Sequence, residues 1–149
     1  MGGFHDGPYK LQDAISAYLT ANLATYNSAV AAAVPHVLGG DFGDRSRDHI
    51  YIVAPTFREA PDLTGNYLAD LIVGVATVKE TTLATHREYV KAVFDLMEDT
   101  DLAVYVNALS GSKIRINQQH GGAEQAIGAI TDSLRFSEIR QKFLVYQIT

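Results

Sequence analysis

The segment from Asn66 to Leu109 constrains the fold more than any other part of the chain. Its first part, NYLADLIVGVATVK, is apolar at nearly every position, which is typical of a strand buried on both faces. The following TLATHREYVKAVFDLME places apolar residues on one side of a helix and charges on the other, and DTDLAVYVNAL predicts a shorter second helix. A strand of this kind needs other segments packed against both of its faces, and the rest of the sequence contains few segments that could do so. We therefore expect copies of the same subunit to complete its surface.

The region before this segment predicts one helix and one strand. A helix is expected from Tyr9, where apolar residues recur at helical spacing, and Pro35 is expected to end any Ala-rich extension of it. The run from His49 to Ala54 predicts a short strand that Pro55 terminates. A polar connection, residues 56–65, then leads to the long strand.

The region after Leu109 predicts a weak strand at residues 113–118 and a closing strand at residues 137–148. The resulting order is helix, strand, strand, helix, short helix, weak strand, strand, which is not a regular βαβ alternation. The chain is therefore predicted to be an α+β protein, with a mostly antiparallel four- to five-stranded sheet packed against two main helices. We expect residues 1–8 to form a flexible N-terminal arm and residues 9–149 a single domain.

The amino-acid composition excludes several classes of protein and several kinds of binding partner. A chain of 149 residues, 47% hydrophobic and 19% charged, is typical of one globular domain. The net charge is −5 and no Lys/Arg cluster occurs, so a dedicated nucleic-acid binder is not expected. The absence of cysteine excludes disulfides, thiol nucleophiles and Cys-type zinc sites. No run approaches the roughly 20 apolar residues of a membrane-spanning helix, so no membrane partner is expected.

Residues with catalytic or ligand-binding potential do not form a known pattern. No histidine pair has the i, i+4 spacing of a helical zinc site, and no G-x-S-x-G nucleophile turn occurs. His86 lies at the edge of an apolar helix face and is interpreted as a packing or interface residue, whereas His120 is the best ligand-like candidate because a loop carries it. The loop at residues 39–43 is acidic and lacks the lysine of a phosphate-binding loop. We predict no catalytic, cofactor-binding or metal-binding residues and no enzymatic activity, with a small enzyme or ligand-binding domain as the alternative.

A loop of alternating charges is the candidate contact surface between identical subunits. Acids and bases interleave along residues 39–48, and a further base follows in the connection after the short strand. Both signs on one loop favour pairing between copies of a chain over a metal cage. The predicted interface residues are Asp41, Asp44, Arg45, Arg47, Asp48 and Arg58.

The order of elements resembles that of a known group of proteins. An N-terminal amphipathic helix precedes a strand ending in proline, and a long strand leads into the helix His86–Met97. A short helix, a Gly-rich stretch and the closing strand Phe143–Ile148 complete the pattern. From about Leu11 to Ile148, the chain resembles the tail terminator and neck (head–tail joining) proteins of tailed bacteriophages.

This resemblance implies an architectural role. Tail terminators are small α+β subunits that form hexameric rings, and the expected partners are copies of this chain, the tail tube protein and the head–tail connector or adaptor protein. The ring would cap the tail tube, stop its polymerisation and join the tail to the head connector in a virion assembled in the host cytoplasm. DNA would pass through without specific binding. The alternatives are a head–tail adaptor or completion protein of the neck and a non-phage α+β ligand-binding or enzyme domain.

Overall fold

A computed structural model describes residues 7–26, 37–39, 48–59, 66–98, 101–108, 114–118, 124–126 and 134–147. Within these ranges the chain forms three α-helices and six β-strands, so the predicted α+β class is confirmed. In chain order the elements are α1 (Gly7–Tyr26), β1 (Val37–Gly39), β2 (His49–Glu59), β3 (Asn66–Val78), α2 (Leu83–Glu98), α3 (Asp101–Ala108), β4 (Ile114–Gln118), β5 (Glu124–Ala126) and β6 (Leu134–Gln147).

The strands form one mostly antiparallel sheet in the order β1-β2-β3-β6-β4. The single parallel pairing in this sheet joins β1 to β2. Strands β4 and β5 both pair with β6, β4 opposite residues 143–147 and β5 opposite residues 138–140, so they follow one another along the same side of β6. The long central strands β3 and β6 pair along their whole length, from Asn66 opposite Tyr146 to Val78 opposite Leu134.

The prediction of a short strand from His49 to Ala54 that Pro55 ends is wrong. β2 continues through Pro55 to Glu59 and stays paired with β3. The pairing shifts between Val53 and Thr56, so that Ala54 and Pro55 together lie opposite a single β3 residue. Such a β-bulge is one of the few places where a strand accepts proline, because the extra residue is excluded from the regular ladder of hydrogen bonds.

All three helices cover one face of the sheet. Side chains alternate along a strand, and the inward positions of β3 are the buried residues Ala69, Leu71, Val73 and Val75. Helix α1 packs on β1 and β2, α2 on β3 and β6, and α3 on β4. The helices contribute the following buried residues to this core: Leu11, Ala14, Ile15, Tyr18, Leu19 and Leu23 from α1, Tyr89, Val90, Val93, Leu96 and Met97 from α2, and Leu102 and Val106 from α3.

Most predicted element boundaries agree with the structure to within a few residues. α1 begins at Gly7, before the predicted start at Tyr9, since proline in the first turn of a helix has no hydrogen bond to lose. α2 is capped by Thr82, whose Oγ1 accepts a hydrogen bond of 3.2 Å from the Thr85 backbone N–H. No described helix is both long and apolar enough to cross a membrane.

Candidate assembly surface

The face of the sheet away from the described helices is buried at one end and exposed at the other, and we call it the open sheet face. It is formed by the strand residues that alternate with the core positions, and none of the three described helices packs on it. Its members are His49, Tyr51, Val53, Thr56 and Arg58 of β2, Leu68, Asp70, Ile72, Gly74 and Ala76 of β3, and Phe136, Glu138, Arg140, Lys142 and Leu144 of β6.

At one end of the open sheet face, the side chain of Tyr51 covers a glycine. Tyr51, Gly74 and Glu138 lie opposite one another on three neighbouring strands. The Tyr51 ring lies over Gly74, where a Cβ atom would overlap the ring, and its hydroxyl donates to Glu138 Oε1 at 3.5 Å. Burial, followed by the charge of Glu138 and the hydrogen bond to it, raises the pKa of Tyr51 to about 12. The tyrosine therefore stays protonated and fills the space that the glycine leaves.

The other end of the open sheet face is exposed, with apolar side chains among charged ones. Val53 is 37% exposed, and Leu68, Ile72 and Leu144 are half-buried. The exposed charges around them come from the three central strands. They are Arg58, Asp70, Arg140 and Lys142.

The register arranges this region in rows across the strands. Ile72 lies between Val53 and Arg140, and Asp70 lies directly opposite Lys142. Arg140 also forms an exposed ion pair of 3.5 Å with Glu138. Apolar and charged side chains therefore alternate from row to row in this region, and surfaces that bind another protein combine both kinds.

A buried polar cluster lies on the opposite side of the sheet, beneath α2. His86 Nδ1 is 2.7 Å from Thr77 Oγ1, and His86 Nε2 is 2.8 Å from Ser137 Oγ. Burial, assisted by the nearby positive charge of Arg135, lowers the pKa of His86, with Asp48 acting in the opposite direction. The neutral ring accepts a hydrogen bond at one nitrogen and donates one at the other, so both hydroxyl groups are satisfied.

This serine–histidine–threonine chain has the connectivity of a nucleophile and its base but lacks access to a substrate. His86 is 2% exposed and Ser137 is 9% exposed, and Ser137 lies within a paired strand. A nucleophilic oxygen must approach a reacting atom, which this burial prevents. The cluster links α2 to β3 and β6, and His86 has the packing role predicted from its helix position.

Asp48 completes the polar region at the turn between β3 and α2. Its Oδ1 accepts a hydrogen bond of 2.8 Å from the Val78 backbone N–H, and the Thr81 hydroxyl lies 2.9 Å and 2.8 Å from its two oxygens. Burial, followed by the charge of Asp48 and a hydrogen bond to it, raises the pKa of Tyr89. The carboxylate therefore serves the fold by holding the turn against the start of β2.

The structure separates the predicted interface residues. Asp41, Asp44, Arg45 and Arg47 lie outside the described residues, as does His120. Asp48 is half-buried and bonded within the chain, whereas Arg58 is exposed on the open sheet face. In the described part of the chain, no group of three or more His, Asp or Glu residues is placed to hold a metal ion.

The sequence pattern alone does not bring the charged residues of β3 and β6 together. The alternation along β6 places Arg140 and Lys142 on the side of the strand away from the buried Ile139 and Phe143. Their position beside Asp70 depends on the register between β3 and β6, which a single sequence does not reveal.

Comparison with known proteins gives a structural match. No family model matches the chain, and no curated protein sequence matches it. A chain of a solved structure described as "Virion of native gene transfer agent (GTA) particle" has a similar architecture, with a TM-score of 0.56 and 22% sequence identity. The match covers 91% of this chain and 94% of that chain. This protein therefore shares its α+β fold, over nearly its whole length, with a chain of that virion particle.

Proposed function

We propose that this protein is a structural subunit of a phage-like virion, and specifically a tail terminator that forms a ring. The likeness to a chain of a gene transfer agent virion is the observation that carries the proposal, because it spans nearly all of both chains. The structural comparison supports a virion protein. The order of elements in the sequence supports the more specific role of a tail terminator.

The described surface suits a subunit that works by binding other copies. The open sheet face carries half-buried Leu68, Ile72 and Leu144 beside exposed charges, and no described helix covers it. In an isolated subunit the exposed part of these side chains faces water, at a cost of roughly 25 cal/mol for each Å² of apolar surface. Burial against a neighbouring protein removes that cost, which favours an assembly over a monomer.

The proposed mechanism is geometric and needs no catalytic group. One face of a six-membered ring would match the last ring of the tail tube, and the other face would bind the head connector and lack the edge that a further tube ring requires. The net charge of −5 suits a channel for DNA, since acids around the channel would repel the backbone phosphates. DNA would then pass without being bound.

Deletion of the gene tests the terminator role. If the ring stops tube polymerisation, electron microscopy of particles made without it will show tails of irregular and excessive length. Supplying the wild-type gene from a plasmid will restore uniform tails. Tails of normal length in the deletion strain would contradict the terminator role.

The runner-up is a head–tail adaptor or completion protein of the neck, and the same micrographs separate it from a terminator. Loss of an adaptor would leave tails of uniform length that fail to join filled heads.

Substitution of His120 by alanine tests the enzyme alternative: we expect unchanged particle yield, because no reaction is assigned to the protein. A large loss of yield with normal folding would favour a ligand-binding or catalytic loop.

A further inference from the structure

The open sheet face has a local charge opposite to that of the whole chain. Arg58, Arg140 and Lys142 supply three exposed cations around the apolar residues Val53 and Ile72, although the chain carries a net charge of −5. The described acids of this face are the half-buried Glu138, which contacts Tyr51 and Arg140, and the exposed Asp70, which lies opposite Lys142. The described face therefore carries three cations against two acids, interleaved with the apolar residues.

A surface of complementary character lies on the outer side of the helix layer. Glu98 ends α2 and Asp101 begins α3, and both are exposed. They are three positions apart along the chain, so their Cα atoms are at most about 11 Å apart. Val104, 67% exposed, points away from the buried Leu102 and Val106 of the same helix. We call Glu98, Asp101 and Val104 the acidic corner.

We infer that the acidic corner of one copy of this chain binds the open sheet face of a second copy. Opposite charges would steer the two surfaces together, and Val104 would cover part of the apolar area around Val53 and Ile72. The two surfaces lie on opposite layers of the subunit, so they cannot meet within one copy. This inference rests on the proposed function, because the ring is the assembly in which the contact would form. It names the two surfaces through which neighbouring subunits bind.

A contact between two different surfaces also determines the kind of assembly. Each copy uses its sheet face toward one neighbour and its acidic corner toward the other, so the contact is head-to-tail. Repetition of a head-to-tail contact closes into a ring when the rotation between neighbours divides a full turn. The contact is therefore of the head-to-tail kind from which rings are built, and a two-fold symmetric dimer is not expected from it.

Paired charge reversals test the contact. Arg58→Glu with Lys142→Glu reverses the sheet face, and Glu98→Lys reverses the acidic corner; all three side chains are exposed. Each variant should self-associate at least about tenfold more weakly than the wild type in sedimentation experiments, because like charges then face each other. Arg87→Glu, on the exposed side of α2, is the matched control and should associate normally.

The chain carrying all three reversals should regain association, since opposite signs again meet. Circular dichroism melts will verify that every variant is folded. Single-surface variants that associate like the wild type would overturn the contact, as would a folded triple variant that stays dissociated, or a wild type that never self-associates. Normal tail length after gene deletion would contradict the terminator role while leaving this contact measurable in solution, so the two failures are distinguishable.

Discussion

The ring of Tyr51 lies across Gly74 on the neighbouring strand and reaches Glu138 on the next one. A glycine inside a strand normally weakens it by about 0.5–1 kcal/mol relative to alanine. Here the missing side chain is replaced by an aromatic ring from across the sheet, so one residue of β2 spans three strands.

Gly74→Ala should therefore destabilise the protein by about 1–3 kcal/mol, because the new methyl group overlaps the Tyr51 ring. In a Tyr51→Ala background the same substitution should be neutral or stabilising, since the obstruction is gone. Urea unfolding of the four proteins in this double-mutant cycle measures the coupling. Equal effects of Gly74→Ala in both backgrounds would contradict the close approach.

Protonation of His86 should make stability depend on pH near neutrality. Burial lowers its pKa in the folded protein below the ordinary value of 6.5, so the unfolded chain binds more protons just below that pH. The contribution of neutral His86 to the free energy of unfolding is fully present above about pH 6.5. It declines as the pH falls toward the pKa of His86 in the folded protein. Urea midpoints measured from pH 8 to pH 5.5 should show the decline in the wild type and a flatter profile in His86→Gln. Identical profiles would mean that His86 is not buried in its neutral form.

Asp48 should matter for folding and Arg58 for assembly, although both come from one predicted interface. Asp48→Ala removes the acceptor of the Val78 backbone N–H and of the Thr81 hydroxyl, at an expected cost of about 1–3 kcal/mol. Arg58→Ala, at an exposed position, should change the unfolding free energy by less than about 0.5 kcal/mol. Thermal melts of the two variants provide the comparison. An Asp48→Ala variant as stable as the wild type would refute its structural role.

Gln141 is a polar residue in the core, and its replacement should stabilise the protein. It is 1% exposed, lies opposite Leu71, and neither its amide nitrogen nor its amide oxygen has a hydrogen-bond partner within the described structure. Gln141→Met keeps a similar volume and removes the unsatisfied groups, which should raise the unfolding free energy by about 1–3 kcal/mol. Leu71→Met is the control for altered packing alone. A clear loss of stability in Gln141→Met would show that the amide has a partner in solution.

Strongly periodic elements could be predicted from the sequence, and features that depend on pairing could not. The 3.6-residue pattern of α2 and the apolar run of β3 give correct elements because each is long enough to repeat its pattern several times. β1 and β5 have three residues each, which is too short for any period to show. The prediction that Pro55 ends its strand failed because proline usually has that effect. The bulge that accommodates Pro55 exists only once β2 is paired with β3.

In the candidate site, too, features with a local sequence pattern could be predicted, and features that depend on strand pairing could not. His86 was placed on a packing face, but its partners Thr77 and Ser137 are 9 and 51 residues away along the chain, so no local pattern connects them. Arg58 was predicted to lie at an interface because of its charge. The rows that join Ile72 to Arg140 and Asp70 to Lys142 come from the register of β3 with β6, which tertiary packing fixes.

The mass of the purified protein in solution, measured by sedimentation over a range of concentrations, tests the central claim most directly. A ring-forming virion subunit should populate one closed species, with six times the 16.2 kDa protomer mass for the proposed hexamer, and with no larger species as concentration rises. A protein that remains at 16.2 kDa at every concentration would contradict self-assembly into a ring. An open series of ever larger species would contradict closure.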